Sequence, residues 1–426
     1  MKKLLSIEKS WIETFPAHWE MCRLKDYTST NTGITFTKAD LVDSGNAVLS
    51  YGQIHAKNNI VTEINHELIR FIPDSLIEDK SSSKVKLGDF IFADTSEDLS
   101  GCGNCIYINE PIDLYVGYHT ILLRNKGLGC GKYFAYLFMS DLWRSQIRKK
   151  VKSVKLYSVT QGILNQSFVI VPPIAEQEAI ATYLDKECGK IGKEIGLLER
   201  KVDCYRNLRH SLIIKTVTQK KPNYRAYRLK DIFELRNGYT PSKAVSEFWE
   251  GGTIPWFRME DIRKNGRILS DSIQHITQEA IKTAGLFEAN SFILSTTATI
   301  GEHALLIADS LANQQFTNLK IRKSLKEKVS VKWMFYKFFH IDEYCKRGCR
   351  ITTFAAVDMV ELTNMPIYLP PIEEQLNNVA YLDDKCNKID VIINKIESKI
   401  ELLKELKRSL INEVVTGQRA INISKS

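Results

Sequence analysis

Apolar residues recur at alternating steps of four and three along two segments of the chain, which begin at Pro172 and Pro370. This spacing predicts two long helices, each with the apolar seam of a coiled coil. The seam positions are Leu184, Cys188, Ile191, Ile195, Leu198, Val202, Tyr205 and Leu212 in the first helix, and Leu382, Cys386, Ile389, Ile393, Ile396, Ile400, Leu403 and Leu410 in the second. Both seams are interrupted at the same register, by Arg209 and by Lys407. We therefore expect the two helices to bury these faces against each other, rather than to be unrelated surface helices on separate domains.

The two helical segments are also copies of each other. Aligned without gaps, residues 172–220 and 370–418 share 20 identities in 49 positions. Each copy begins Pro-Pro-Ile-x-Glu-Gln, and Tyr-Leu-Asp follows at residues 183–185 and 381–383. A Pro-Pro pair is typical of a strand or loop that ends just before a helix begins. The repeat therefore predicts a duplicated scaffold with an equivalent long helix in each half.

The connection between the helices predicts that they run antiparallel. The first helix ends near Thr218, a globular segment starts around Tyr224, and that segment ends directly before the second helix. Parallel pairing would require the chain to return along about 45 residues of helix, roughly 65 Å at 1.5 Å per residue. Antiparallel pairing requires no such return.

The segments between the helices alternate short β-like runs with amphipathic helices. Strands are predicted at residues 88–92, 106–108, 120–123, 168–171 and 289–294, and aromatic-rich helices at 133–147 and 331–344. The two segments echo each other weakly, because Arg-Leu-Lys-Asp starts at both Arg23 and Arg228 and a glycine follows at Gly33 and Gly238. The predicted fold class is α+β, with two mixed α/β domains separated by two long helices that form an antiparallel coiled coil. The predicted divisions are 1–171 and 221–369 for the globular domains, with 172–220 and 370–426 for the helices and the tail.

Composition narrows the class of protein. Hydrophobic residues make up 44% of the chain, which is enough for packed cores. Nine irregularly spaced cysteines favour a reducing cytoplasm. No apolar run approaches the roughly 18–20 residues that span a bilayer, and the charged N-terminus lacks the apolar stretch of a signal peptide. We expect a cytoplasmic protein with no membrane contact.

The candidate catalytic and metal-binding motifs in the sequence each lack residues that their chemistry requires. The glycine-rich residues 127–133 have too few residues between their glycines for a phosphate loop, and a tyrosine replaces its Ser or Thr. Cys102 and Cys105 could be half of a zinc site, but a second ligand pair is missing. The Asp/Asn-Pro-Pro-aromatic tetrapeptide that binds a flipped adenine is also missing. We expect no catalytic residue and no metal ligand in this chain.

Basic residues are the most informative polar positions. The net charge of +9 permits a polyanionic partner without requiring one. Clusters recur in both globular segments, and the predicted DNA contacts are Arg148, Lys149, Lys150, Lys152, Lys155, Arg258, Arg263, Lys264, Arg267, Lys346, Arg347 and Arg350. A solvated charged face is the alternative for either cluster taken alone. The polar residues Tyr51, Gln53, Asn313 and Gln314 are equally eligible to contact base edges.

The paired Pro-Pro-Ile-x-Glu-Gln and Tyr-Leu-Asp motifs, with one diverged domain before each helix, resemble the specificity subunit of a type I restriction-modification system. The resemblance covers essentially the whole chain. It implies that each globular segment is a target-recognition domain for one half of an asymmetric, split double-stranded DNA site. It also implies that the helices set the spacing between the halves, and that two methyltransferase subunits dock near the helices.

The resemblance further implies a chain that is non-catalytic by itself. It would belong to a complex that acts as a type I site-specific deoxyribonuclease and adenine DNA methyltransferase. S-adenosylmethionine, ATP and Mg would be bound by the methyltransferase and restriction-translocase subunits, and no cofactor by this chain. Two alternatives from other classes are a free-standing DNA methyltransferase, which the missing motifs disfavour, and a purely structural coiled-coil adaptor.

Overall fold

The computed structural model describes residues 11–12, 14–77, 81–153, 155–347 and 356–421. The chain divides into two compact units. Unit 1 comprises the residues up to Leu198 together with those from Ser398 onwards, and unit 2 runs from Glu199 to Glu397. The predicted divisions instead separate the globular segments from the helices, and they stay predictions.

The long helices predicted from the seams are present. The α-helices of the described ranges are α1 (Tyr51–Ile54), α2 (Gly131–Met139), α3 (Asp141–Arg148), α4 (Gln161–Asn165), α5 (Ile174–Val217), α6 (Leu229–Ile232), α7 (Met259–Asn265), α8 (Val331–Arg347), α9 (Met359–Asn364) and α10 (Ile372–Val415). The helices α5 and α10 have 44 residues each. They begin two residues after the first proline of each Pro-Pro pair, as the sequence indicates.

The described residues of unit 1 form four small sheets. Its strands are β1 (Glu20–Arg23), β2 (Thr28–Thr32), β3 (Asn46–Leu49), β4 (Arg70–Ile72), β5 (Phe90–Ala93), β6 (Thr95–Ser96), β7 (Cys105–Tyr107), β8 (Tyr115–Val116), β9 (Thr120–Asn125), β10 (Lys152–Ser153), β11 (Tyr157–Ser158) and β12 (Phe168–Val171). The strand orders are β2-β9-β5-β7, β4-β3-β8, β10-β11-β6 and β1-β12. Only the β3–β8 pair is parallel among the strand pairs described in this unit.

Unit 2 repeats this plan. Its strands are β13 (Arg225–Arg228), β14 (Phe233–Asn237), β15 (Ile254–Phe257), β16 (Ile268–Leu269), β17 (His275–Ile276), β18 (Ser291–Ser295), β19 (His303–Leu306), β20 (Leu311–Ala312), β21 (Phe316–Ile321) and β22 (Pro366–Leu369). The orders are β14-β21-β18-β19-β16, β17-β15-β20 and β13-β22. The first four strands of the larger sheet, the β17-β15-β20 sheet and the two-stranded sheet each have a counterpart in unit 1. This confirms the mixed α+β class and the internal repeat.

One predicted helix is interrupted. The amphipathic pattern over residues 133–147 predicts a single helix, and the structure has α2 and α3 with Ser140 between them. The Ser140 hydroxyl donates to the Leu137 carbonyl at 2.6 Å and accepts the Trp143 N–H at 3.2 Å. The serine therefore ends one helix and caps the next, which apolar periodicity alone does not indicate.

Each unit buries one part of α5 against the opposite part of α10. In unit 1, the first half of α5 shares a core with the last turns of α10 through Leu184, Cys188, Leu410 and Val414. In unit 2, the last turns of α5 share a core with the first half of α10 through Ile213, Val217, Leu382 and Cys386. The helices are therefore antiparallel, as predicted. These clusters also include the aromatic side chains of α2 and α8, so each helical pair belongs to the core of its unit.

Burial along the predicted seams differs between the two helices. On α10, Leu382, Cys386, Ile389, Ile393, Ile396, Ile400 and Leu410 are buried and Leu403 is half-buried. On α5, Leu184, Cys188 and Val202 are buried, whereas Ile191, Ile195, Leu198, Tyr205 and Leu212 are half-buried. Gly189, Gly192 and Gly196 supply no side chains to cover this stretch of α5. At the interruption, the Arg209 guanidinium lies 3.1 Å from the Asp390 carboxylate.

The glutamine of the first Glu-Gln pair ties α5 to unit 1. The Gln177 side chain accepts the Cys130 N–H and donates to the Pro172 carbonyl, both at 2.8 Å. Gly129 allows this approach, because a Cβ there would lie 2.6 Å from the Gln177 Oε1 atom. Of the glycine-rich residues 127–133, residues 127–130 thus form the turn before α2, which packs on α5, and residues 131–133 begin α2.

The second glutamine makes the same connection in unit 2. Gln375 accepts the Ser330 N–H and donates to the carbonyls of Pro370 and Lys328, each at 2.8 Å. The Gln375 side chain is fully buried. All of these partners are backbone groups, so the contact does not depend on which side chains the globular segment carries.

The aspartate of each Tyr-Leu-Asp adds a second connection. Asp185 accepts the Tyr136 hydroxyl at 2.8 Å and pairs with Lys132 at 2.6 Å. Asp383 accepts the Tyr336 hydroxyl at 2.6 Å. Burial, together with the Asp185 carboxylate, raises the pKa of the Tyr136 hydroxyl well above its usual range. Each tyrosine therefore stays a hydrogen-bond donor that fixes its domain to the long helix.

Replacement of the buried glutamine tests this connection. Gln375→Ala leaves one N–H and two carbonyl groups without their partner, so the free energy of unfolding should fall by about 2 kcal/mol or more. Urea unfolding at equilibrium measures the change. Gln219→Ala, at an exposed glutamine, is the control and should leave the stability within about 0.5 kcal/mol of wild type. Equal stability of the two variants would contradict this role.

Candidate nucleic-acid interface

Two turns lie side by side in unit 1 because the strands before them are parallel neighbours. In this pair, Leu49 of β3 lies opposite Val116 of β8. The N–H of Gly117, just after β8, donates to the Leu49 carbonyl at 2.7 Å. Residues 50–55 and 117–119 therefore form one surface, which we call the turn pair of unit 1.

A glycine fixes the second of these turns. The Gly33 N–H donates to the Thr120 carbonyl at 3.2 Å. A Cβ on Gly33 would lie 1.7 Å from the Gly117 carbonyl oxygen, so no other residue fits without moving the backbone. This contact explains the glycine that follows the Arg-Leu-Lys-Asp sequence in the first globular segment.

Aromatic and imidazole rings cover the turn pair of unit 1. The Tyr51 ring meets the rings of Tyr118 and His119 edge-on, with both centroid distances at 5.6 Å. His119 has a left-handed backbone with φ of 54°, and 58% of its side chain is exposed. Its Nδ1 atom lies 3.3 Å from the Asp94 carboxylate. Tyr51 was a candidate base contact from the sequence, whereas no local pattern in the sequence pointed to Tyr118 and His119.

The predicted basic cluster adjoins the turn pair of unit 1. Strand β6, which starts at the residue after Asp94, pairs with β11, and β11 pairs with β10. Lys149, Lys150, Lys152 and Lys155 lie on or beside this hairpin and are exposed. We call these four residues the lysine cluster.

Arg148 is held in a more enclosed position than the lysines. Its guanidinium lies 3.0 Å from the Asp141 carboxylate and donates to the Ser100 carbonyl at 3.0 Å. It lines a cavity of about 690 Å³ together with Tyr51 and Arg144. The structure thus brings Arg148 to the edge of the turn pair and places the lysine cluster further out.

Unit 2 builds the same pair of turns from a different sequence. Phe257 of β15 lies opposite Ala312 of the parallel strand β20, and the Asn313 N–H donates to the Phe257 carbonyl at 3.0 Å. The Gly238 N–H donates to the Phe316 carbonyl at 2.8 Å, and a Cβ there would lie 2.3 Å from the Asn313 carbonyl oxygen. We call residues 258–261 and 313–315 the turn pair of unit 2.

Amides and an arginine replace the rings in the turn pair of unit 2. Gln314 is exposed, and its Oε1 atom accepts the Thr240 hydroxyl. The Arg258 guanidinium lies 5.8 Å from the Trp256 ring centroid and 3.0 Å from the Glu260 carboxylate. Of the residues that the sequence analysis named for base edges, Tyr51 and Gln53 lie in the first turn pair and Asn313 and Gln314 in the second.

The remaining predicted DNA contacts of unit 2 lie on two helices. Arg263 and Lys264 are exposed on α7, and Lys346 and Arg347 are more than half exposed at the end of α8. Arg350 lies outside the described residues. The structure places these side chains on the surface, and their contact with DNA stays a prediction.

Arg267 belongs to a charge network inside unit 2. Its guanidinium lies 2.5 Å from the Glu302 carboxylate and 3.2 Å from Asp342. The buried His303 ring donates from Nδ1 to Asp342 at 2.7 Å, and burial lowers the pKa of this histidine. The Arg267 charge is therefore engaged by two carboxylates, and its contact with DNA stays a prediction.

No metal centre is found in the part of the chain that the structure describes, where no group of three His, Cys, Asp or Glu side chains could hold an ion. Cys102 and Cys105 are buried, and burial raises the pKa of the Cys105 thiol to about 12. A thiol with that pKa stays protonated at neutral pH. No helix within the described ranges is long and apolar enough to cross a membrane.

Comparison with known proteins gives the class. The family model described as "Type I restriction modification DNA specificity domain" matches twice, at residues 16–195 and 222–402. The EcoprrI specificity subunit of Escherichia coli is 51% identical over 131 residues, which are 31% of this chain and 33% of that protein. The putative MjaX specificity subunit of Methanocaldococcus jannaschii is 22% identical over 97% of this chain and 96% of its own length.

Solved structures share the fold. A chain from a study of complex assembly and conformational transition in the type I R-M system has a TM-score of 0.73 at 17% identity, over 96% of this chain and all of that one. The HsdS subunit from Thermoanaerobacter tengcongensis has a TM-score of 0.51 at 17% identity, over 96% of this chain and 99% of its own. These chains are similar to this one in fold.

The two matched domains cover most of the chain, so the protein belongs to the type I restriction-modification DNA specificity family. It is a specificity subunit with two DNA-recognition domains, as the resemblance implies. The turn pairs and the lysine cluster lie in these domains.

Arginine replacement distinguishes the internal network from the exposed basic residues. Arg267→Ala leaves the buried Asp342 without its cation, so the free energy of unfolding should fall by about 3 kcal/mol or more. Arg263→Ala removes an exposed charge and should change it by less than about 0.5 kcal/mol. Thermal and urea unfolding of both variants measure the difference. A wild-type stability for Arg267→Ala would show that the network contributes nothing to folding.

Proposed function

We propose that this chain selects an asymmetric, bipartite double-stranded DNA sequence, with each unit contacting one half. The observation that carries the proposal is the repeated frame: the same paired turns occur in both units with different side chains at equivalent positions. Tyr118 and His119 in unit 1 correspond to Gln314 and Gln315 in unit 2. A site read by two such surfaces is asymmetric, because the chemical groups offered to the two halves differ.

The chain itself is non-catalytic in this proposal. It positions two methyltransferase subunits, and through them restriction-translocase subunits, which bind S-adenosylmethionine, ATP and Mg in the cytoplasm. The repeated long helices support two equivalent docking positions. Both units leave apolar side chains of these helices exposed, Leu402 and Leu406 in unit 1 and Leu208 and Val391 in unit 2, and exposed apolar residues are typical of protein interfaces.

Mapping of methylated adenines genome-wide, in cells with and without this gene, tests the proposal. A split motif should disappear when the gene is deleted. A structural adaptor predicts an unchanged set of methylated sites. A free-standing methyltransferase predicts that the isolated chain binds S-adenosylmethionine in a titration, whereas the proposed subunit binds none.

The long helices determine the spacing between the half-sites in this proposal. Insertion of four residues near Lys201 lengthens α5 by about 6 Å and adds roughly one turn. The methylated motif should then change its spacer length, or methylation should collapse, while any retained half-sequences are unaltered. The same insertion in the exposed tail after Gln418 is the control. Wild-type spacing and full methylation with the α5 insertion would show that the helices do not measure distance.

The lysine cluster is assigned to phosphates. An ammonium group neutralises phosphate as a point charge and lacks the fork of a guanidinium. Each Lys→Ala change should therefore weaken binding to target and scrambled duplexes alike, and reduce the slope of log K against log salt by about one unit. The measurement uses the methyltransferase-bound complex at several salt concentrations. An unchanged slope after removal of all four charges would make the cluster a solvated face.

Arg148 offers a contrast with its lysine neighbours. If its guanidinium contacts a guanine, Arg148→Ala should cost about 1–3 kcal/mol of discrimination at one position of one half-site. A uniform loss on all sequences would assign it to phosphate instead.

A further inference from the structure

We propose that the turn pair of each unit contacts the base edges, and that Gln314 of unit 2 pairs with an adenine in the major groove. This inference rests on the proposed function, because it assigns roles within the same DNA-binding surface. In unit 1 it separates the residues that select the base sequence from the lysines that contact the phosphates of the DNA.

The distribution of charge supports this division of roles. Residues 50–55 and 117–119 contain no lysine or arginine, whereas the neighbouring hairpin carries the four residues of the lysine cluster. Phosphate contacts position a protein on DNA without sequence information, and base-edge contacts supply the selectivity. In unit 1 this gives an uncharged polar centre beside a lysine-rich rim, whereas the turn pair of unit 2 itself includes Arg258, whose guanidinium can also contact a base edge.

The frame under the turns is constant, and the exposed side chains differ. The Asp94 N–H donates to the His119 carbonyl at 3.1 Å, and the Thr296 N–H donates to the Gln315 carbonyl at 3.0 Å. These bonds make His119 and Gln315 structurally equivalent positions. Different side chains on one backbone frame can contact different bases without a change in the fold.

Gln314 has the chemistry and the orientation for adenine. The Thr240 hydroxyl donates to its Oε1 atom, which fixes the amide and leaves the second Oε1 lone pair and the Nε2 hydrogens available. Adenine presents the N6 amino donor and the N7 acceptor in the major groove, and a glutamine amide matches this pattern with two bonds. The side chain is exposed on the turn, so these groups are accessible to a duplex.

The test uses cells in which variants replace the wild-type gene, with methylated adenines mapped genome-wide. Gln314→Ala should relax one adenine position in one half of the motif by about tenfold or more, because one bidentate contact is lost. Gln314→Glu replaces the Nε2 donor by an acceptor, so the preference at that position should move from adenine towards cytosine. Gln219→Ala, at an exposed glutamine outside the turns, should leave the motif unchanged.

A second pair of variants tests unit 1. His119→Asn removes the imidazole with a residue that tolerates the left-handed backbone, and it should relax one position in the other half of the motif. His66→Asn changes an exposed histidine that lies outside both turns and is the matched control. Both controls should retain the wild-type motif.

The outcomes distinguish a failure of the proposed function from a failure of the assignment of the turn pairs. A wild-type chain that directs no split motif would contradict the proposed function itself. A wild-type split motif that persists in the Gln314 and His119 variants would overturn only the assignment of the turn pairs. The same loss of methylation at all sites in the Gln314 variants would also overturn it, because a base contact affects one position and leaves the other half intact.

Discussion

A buried glutamine at the start of each long helix connects that helix to a DNA-recognition domain, and the rest of the structure depends on this connection. Gln177 and Gln375 bind only backbone groups of the domain. A hydrogen bond to the backbone depends on the backbone conformation of the domain and not on its side chains. The recognition domains can therefore differ in almost every side chain and still dock on the same helix in the same way.

The duplicated motifs follow from this constraint. The glutamine and the aspartate recur in both halves, and each makes the same side-chain contact in its own half. The turn pairs carry no such constraint, since their exposed side chains face away from the cores. The contrast between the repeated helices and the diverged domains thus reflects two kinds of position. Residues that connect the helices to the domains are repeated, and exposed residues of the turns can vary.

The helices were predictable from the sequence because their periodicity and their repeat are local signals. The antiparallel direction was also predictable, because parallel helices would need a connection that returns along the full length of the first helix. The interruption at Ser140 was not predictable, because a serine between apolar turns suits a helix surface as well as a cap. The pairing of the turns was not predictable either. It depends on the strand pairing of Leu49 with Val116, which joins distant parts of the chain and has no local sequence pattern. The ion pairs of Arg267 were not predictable either, because its partners Glu302 and Asp342 are distant in sequence and are brought to it by folding.

The central claim is that the two recognition domains are attached to the helices in the same way and act independently on the two half-sites. Exchange of one recognition domain is the sharpest test of it. Residues 1–170 are replaced by the equivalent domain of another family member, and methylated adenines are mapped in cells that carry the hybrid. The account predicts that one half of the split motif changes to that of the donor, while the other half is retained. A change in both halves, in a hybrid that still directs methylation, would contradict it.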